Sequence, residues 1–150
     1  MIEEFQGEYR WLSNFYPVKI VIDGVEYPSV EHAYCSCKST DSKWKSICSN
    51  EKNPGKIKRK SKKIKVIDDW DDKKLSIMKK CLEQKFNQEP FKSMLIQTGN
   101  EIIQEGNRWN DKFYGVCLKT NKGKNKLGKL IMNIRYELIN GPKKTLEDIL

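Results

Sequence analysis

Apolar and polar positions alternate near the start of the chain and fall into helical spacing after it. Residues 3–27 read as extended. Within them Val18-Lys-Ile-Val-Ile22 and Val25-Glu-Tyr27 flank Asp23-Gly24, a two-residue hairpin signal. Pro28-Ser29 then marks a helix start, with Ser29 as N-cap and the helix running to about Ser39. A short helix fits Asp41 to Cys48, and Asn53-Pro54-Gly55 opens another with Pro54 in its first position. Asp69 is placed to cap a longer helix reaching about Asn87, whose Leu75, Met78, Leu82 and Phe86 recur at core spacing. Pro90 starts a short helix to Gln97, which Thr98-Gly99-Asn100 ends. Glu101–Glu105 and Phe113–Cys117 are extended candidates, and Lys119–Lys126 is a polar loop. Leu127, Leu130, Ile131, Ile134 and Leu138 make a last helical stripe. This pattern predicts an α+β fold, a single helix-rich domain with a few short strands. It covers residues 1–142, with 143–150 as a C-terminal tail after Gly141-Pro142.

Composition narrows the class. The chain has 150 residues, enough for one proper core. No run approaches the ~18 apolar residues of a membrane span, and Met-Ile-Glu-Glu does not open a signal peptide. Twenty-nine Lys and Arg against 20 Asp and Glu give a formal charge of +9, and seven of the ten residues Lys56–Lys65 are basic. Such an excess fits phosphate or nucleic-acid partners, or a lysine-rich solvated surface. The five cysteines, Cys35, Cys37, Cys48, Cys81 and Cys117, form no Cys-x-x-Cys pair. Reduced thiols in a cytoplasmic protein, without a metal site, are the expectation.

Chemistry concentrates in Gly24-Val-Glu-Tyr-Pro-Ser-Val-Glu31-His32-Ala-Tyr34-Cys-Ser-Cys-Lys38. Residues 31, 34, 35 and 38 share one helical face, so a carboxylate, a phenol and an ammonium converge. Glu31 is either a catalytic carboxylate or a helix-end charge. His32, the only histidine, points away from that face, which favours an orienting hydrogen bond over a general base. Asp111 stands among aromatics in Trp109-Asn-Asp-Lys-Phe-Tyr-Gly115, as a cleft group or an Asx-turn residue. Trp70, Trp109, Phe15 and Tyr34 are stacking candidates or core aromatics. Lys38 is a phosphate grip, an imine-forming amine or a solvated lysine. Arg10, Ser13 and Asn14 suit phosphate and sugar hydroxyls. Asn125 and Gly128 open the last helix, where backbone amides meet anions. Gly123–Gly128 lacks the spacing of a triphosphate loop.

The Glu31 segment resembles the signature of the NADAR family, the YbiA-like N-glycosidases. Gly7-Glu-Tyr-Arg10-Trp-Leu-Ser13-Asn14-Phe15-Tyr16-Pro17 is similar to the family's opening motif. Asn53-Pro-Gly55, Asp69-Trp70, Lys85-Phe86, Thr98-Gly99, Glu105-Gly106-Asn107, Trp109-Asn-Asp111 and Asn125-Lys-Leu-Gly128 follow in family order. The resemblance runs from about Phe5 to Leu138. It implies a hydrolase that works without cofactor or metal on an N-ribosidic bond, with Glu31, Asp111 and Lys38 catalytic. The implied ligand is ADP-ribose or a ribosyl phosphate. The favoured reaction is removal of ADP-ribose from guanine in DNA. The alternatives are hydrolysis of phosphorylated ribosylamino-pyrimidines of riboflavin synthesis and ADP-ribose binding without turnover. Two departures stand out. Cys35 replaces the usual glutamine after Tyr34, and the basic helix reads Ile57-Lys-Arg-Lys-Ser-Lys62 instead of Ala-Lys-Arg-Leu-Gly-Arg.

Overall fold

Asp23 and Gly24 both take left-handed backbone angles (φ 50° and 79°), the requirement of a tight hairpin turn whose twist matches its strands. They join β2 (Pro17–Ile22) to β3 (Val25–Ser29) as an antiparallel pair, with Ile22 opposite Val25 and Ile20 opposite Tyr27. Val18, Ile20 and Tyr27 are buried on one face, as the alternation predicts. The structure, a computed structural model, describes residues 1–141; the proposed tail lies outside them. Its contacts divide the chain into two units. One is Arg10–Asn87, and the other is Met1–Tyr9 together with the chain from Gln88 onward.

The Arg10–Asn87 unit holds the β2–β3 hairpin and four helices, α1 (Val30–Ser36), α2 (Ser42–Asn50), α3 (Pro54–Ser61) and α4 (Trp70–Phe86). The first three start where short polar side chains satisfy orphan amides. Ser29 accepts from His32 N–H, Asp41 from Lys43 N–H, and Asn53 from Gly55 and Lys56 N–H. Asp69 holds the N-cap position of α4 but caps no amide; its carboxylate pairs with Lys73 at 2.8 Å instead. Met78, Leu82 and Phe86 enter the core as expected, while Leu75 is only half-buried.

In the other unit, β4 (Ile103–Asn107) lies between β1 (Ile2–Glu4) and β5 (Val116–Cys117), parallel to both. The helices α5 (Phe91–Gln97) and α6 (Lys126–Asn140) belong to this unit, and α6 packs on β4. Gly106 is the residue at which β4 is squeezed: a Cβ there would stand 2.2 Å from the Glu3 carbonyl oxygen and 2.7 Å from Leu118 Cδ2. Leu127, Ile131 and Ile134 are the buried part of the α6 stripe; Leu130 and Leu138 are half-buried.

Besides the Asp69 cap, the structure corrects three sequence expectations. The stretch read as extended contains a 3-10 helix, Gly7–Leu12, which buries Trp11 and Leu12. The strand expected at Glu101–Glu105 forms two residues later. Phe113–Cys117 is a strand only at its last two residues. There the carbonyls of Phe113, Tyr114 and Gly115 accept from Lys126, Leu127 and Asn125 N–H, so they serve the start of α6 instead of a ladder.

Candidate active site

The helix α1 is buried along all seven of its residues, so its functional groups are fixed by packing. Glu31, in the first turn, is 8% exposed. Its N–H donates to the Asn14 carbonyl at 3.0 Å, and its Oε1 accepts from the Cys35 thiol at 3.4 Å. Burial, with the neighbouring carboxylate adding to it, pushes the Cys35 thiol well above its ordinary value. The thiol is therefore a donor to Glu31 and no nucleophile.

One turn on, the Tyr34 and Trp70 rings meet with centroids 5.0 Å apart and planes tilted by 53°. The Lys38 ammonium stands 5.7 Å from the Tyr34 centroid and 5.8 Å from that of Trp70, a cation–π arrangement on two rings. Lys38 also donates to Ser61 Oγ at 3.1 Å, and the Ser61 hydroxyl donates to the Lys58 carbonyl. The backbone closes the same corner: Ile67 N–H donates to the Lys38 carbonyl and Trp70 N–H to the Ile67 carbonyl. Thus α1, α3 and the start of α4 bring Tyr34, Lys38 and Trp70 together, with Glu31 one turn earlier on α1; the helix expected to reach about Ser39 ends at Ser36, so Lys38 joins from the turn after it.

His32 holds this helix in place. It is 1% exposed. Nε2 lies 2.7 Å from the Glu51 carbonyl oxygen and Nδ1 2.6 Å from Ser29 Oγ. A carbonyl only accepts, so Nε2 carries the proton. Burial lowers the imidazole pKa, so the ring is neutral and Nδ1 accepts from the Ser29 hydroxyl. Both ring nitrogens are thereby used, which makes His32 an orienting residue, as its position suggests.

The Ser13–Phe15 segment borders α1. Phe15 is 40% exposed, with Lys58 Nζ 5.7 Å from its ring centroid. Ser13 Oγ accepts from Phe15 N–H at 3.1 Å, and Asn14 Nδ2 points at Met78 Sδ at 3.6 Å. Asn14 Oδ1 is buried without a hydrogen-bond partner among the described residues. Arg10 is exposed at the start of this unit.

Lys85, which the sequence offered only within the Lys85-Phe86 motif, has a place in this unit that sequence reasoning did not assign. Its side chain is fully buried and its ammonium donates to the Ser13 carbonyl at 2.9 Å. Burial pulls its pKa down to about 7. The readable signal was its place three residues after Leu82 and one before Phe86, inside the apolar stripe of α4. Between about pH 7 and the ordinary lysine value of 10.5, the unfolded chain binds a proton at this site that the folded chain does not. Stability from Lys85 is therefore least below pH 7 and rises with pH across that window. Urea unfolding of wild type and Lys85→Met at pH 6, 7.5 and 9 should show the difference moving in favour of wild type as pH rises.

The remaining expected site residues lie in the second unit. Asp111 Oδ1 accepts from Phe113 N–H and Tyr114 N–H, each at 3.0 Å, which is an Asx-turn. The main chain of Asp111 is clamped at both ends by the buried Asn107, whose Oδ1 accepts from Asp111 N–H and whose Nδ2 donates to the Asp111 carbonyl. Asn107 Nδ2 also reaches Glu105 Oε2 at 3.0 Å. These bonds leave Asp111 Oδ2 without a hydrogen bond among the described residues. Trp109 is 58% exposed. Asn125 uses its side chain on β4, accepting from Glu105 N–H and donating to the Ile103 carbonyl, both at 3.0 Å. A Cβ on Gly128 would stand 2.2 Å from that same carbonyl oxygen. In this unit both residues act as a clasp between α6 and β4, a local reason for them that the anion-site expectation did not include.

All five cysteines are free, as expected. No helix among the described residues is long and apolar enough to cross a membrane.

The profile of the NADAR domain matches residues 2–139. An N-glycosidase of Nostoc punctiforme is 32% identical over 139 residues, spanning 88% of this chain and 87% of the relative. N-glycosidase YbiA of Shigella boydii is 30% identical over 87% of this chain and 82% of its own length. A riboflavin biosynthesis protein of Vibrio vulnificus is 30% identical over 87% of this chain; the match spans only 36% of that longer protein. The solution structure of Escherichia coli YbiA superposes with a TM-score of 0.80 at 27% identity, covering 93% of this chain and 87% of that one. With its profile matched from residue 2 to residue 139 and its fold that of YbiA, the chain belongs to the NADAR domain family, alongside proteins named N-glycosidases.

Proposed function

We propose that the protein is an N-glycosidase that hydrolyses a ribosidic N–C bond and removes ADP-ribose from guanine in DNA. The observation that carries the reaction class is the buried Glu31 in the first turn of α1, with Tyr34 one turn on and the Lys38 ammonium over the Tyr34 ring. Cleavage breaks the bond from C1′ to the base nitrogen. The electron pair leaves with the base, which gains a proton, while water adds at C1′ and gives one up. The sugar passes through an oxocarbenium-like state, which a carboxylate held out of water stabilises strongly. Glu31 supplies that charge or takes the proton from water. Asp111, in the other unit, is the second carboxylate that the family resemblance implies. Trp70 and Tyr34 offer aromatic faces to a flat base, and Lys38 supplies a cation to phosphate or forms a transient imine with an opened sugar. Borohydride under turnover separates the two roles of Lys38: a stable adduct absent from Lys38→Ala supports the imine, and no adduct supports the cation.

The charge pattern supports a nucleic-acid substrate. The net charge is +9, and α3 presents Lys56, Lys58, Arg59 and Lys60 within eight residues. Each phosphate neutralised on a single strand releases counterions. Reversal of Lys58, Arg59 and Lys62 to Glu should slow cleavage on DNA. It should also flatten the salt dependence by ~0.7 in log–log slope for each phosphate no longer neutralised. A salt-insensitive rate on DNA, unchanged by the reversal, would exclude this assignment.

A second reading has its own support, since a Vibrio relative is named a riboflavin biosynthesis protein. That reading has the same site act on phosphorylated ribosylamino-pyrimidines. The deciding experiment is hydrolysis of guanine-ADP-ribosylated single-stranded DNA by wild type beside Glu31→Gln. Release of ADP-ribose by wild type alone supports the first reading. Release only from the pyrimidine supports the second. Tight ADP-ribose binding with no release from either makes the protein a reader.

A further inference from the structure

A lysine with no solvent exposure is costly to bury. An apolar residue of similar length would fill the same space on α4 without that penalty, so the position of the ammonium calls for a physical reason. That reason lies at the Ser13 carbonyl. It accepts from Lys85 Nζ at 2.9 Å and from Tyr16 N–H at 3.1 Å, which ties the turn 13–16 to α4. The very next carbonyl, Asn14, accepts from Glu31 N–H at 3.0 Å. Successive carbonyls of one short strap thus point in two directions, one at α4 and one at the first turn of α1. Asn14 Nδ2 adds a second, weaker anchor on Met78 of α4. All of these groups belong to the Arg10–Asn87 unit.

We propose that Lys85 is a positioning residue for Glu31: by fixing the Ser13 carbonyl it sets the Asn14 carbonyl that holds the first turn of α1. The inference rests on the N-glycosidase reading of the same site. A carboxylate that stabilises a short-lived cation must be placed to a fraction of an ångström, and a displacement near 1 Å reduces rate by about 10²-fold. Glu31 N–H belongs to the orphan amides of a helix start, so its partner comes from outside the helix. Without the strap, α1 keeps its Ser29 cap on His32 N–H and gives up only the anchor at Glu31.

The test has two arms. In wild type, amide hydrogen exchange at Tyr16 and Glu31 should show one shared opening, distinct from that of His32. In Lys85→Met, those two amides should exchange faster while His32 N–H keeps its protection. Turnover of the substrate that wild type cleaves should drop tenfold or more in kcat, with KM within about threefold, as expected for loss of an interaction that acts in the transition state. Wild-type kcat in folded Lys85→Met overturns the proposal. So does independent opening of Tyr16 and Glu31 in wild type, an arm that stands even where the variant does not fold. Absence of any turnover by wild type rejects the N-glycosidase reading and leaves the exchange arm to decide the strap.

Discussion

Glu31→Gln should lower turnover by about 10²–10⁴ while leaving the protein folded. The substitution keeps the size and the Oε1 acceptor that the Cys35 thiol uses at 3.4 Å, and the backbone bond to Asn14 does not involve the side chain. What disappears is the negative charge of a residue only 8% exposed. Loss of a carboxylate from a partly buried first helical turn changes stability by up to about 2 kcal/mol. Thermal unfolding should therefore shift by several degrees at most, and single-turnover rates should carry most of the effect. Equal rates in wild type and a folded variant would return Glu31 to the role of a helix-end charge.

Asp111→Asn should fall by about 10² in turnover with a stability change under about 1 kcal/mol. The amide oxygen of Asn can still accept from Phe113 and Tyr114 N–H, so the Asx-turn survives. The charge on Oδ2 does not survive. Asp111→Ala separates the two contributions, because it removes the turn acceptor as well and should destabilise by a further ~1–2 kcal/mol. A full rate in Asp111→Asn would mean that the turn is the whole role of this residue. Chemical denaturation beside initial rates on the same preparations measures both quantities.

The helix starts were legible because their causes are local. Ser29, Asp41 and Asn53 lie within three residues of the amides they cap. Asp23-Gly24 was legible for the same reason. The 3-10 helix at Gly7–Leu12 was not, because six residues give no period to count, and Trp11 meets its partner Phe86 far along the chain, edge to face. The short β5 escaped because alternation in Phe113–Cys117 competes with carbonyl acceptors that α6 needs, a tertiary demand. The placing of Glu31 and Tyr34 one turn apart on α1 followed from spacing alone, whereas Lys38 lies past the helix end and reaches Tyr34 from the turn after it. Trp70 joined them only through the Lys38–Ile67–Trp70 backbone links, which no periodicity encodes. Lys85 was hidden by its own chemistry: sequence rules place lysine outside, and α4 places it inside. Arg135 on α6 is the parallel case, 7% exposed and donating to Thr98 Oγ1 at 2.9 Å.

The tilted contact of Trp70 with Tyr34 gives the protein a built-in optical reporter. Trp11 and Trp44 are buried at 7% and 5% exposure, and Trp109 is open at 58%. Trp70, half-buried with a cation 5.8 Å from its ring, occupies a third and distinct environment. A purine laid against it would quench indole emission and shield it from acrylamide, and Trp70→Phe would remove that response. Equilibrium titrations on the inactive Glu31→Gln protein could then measure ligand affinity by light alone, with no bond broken.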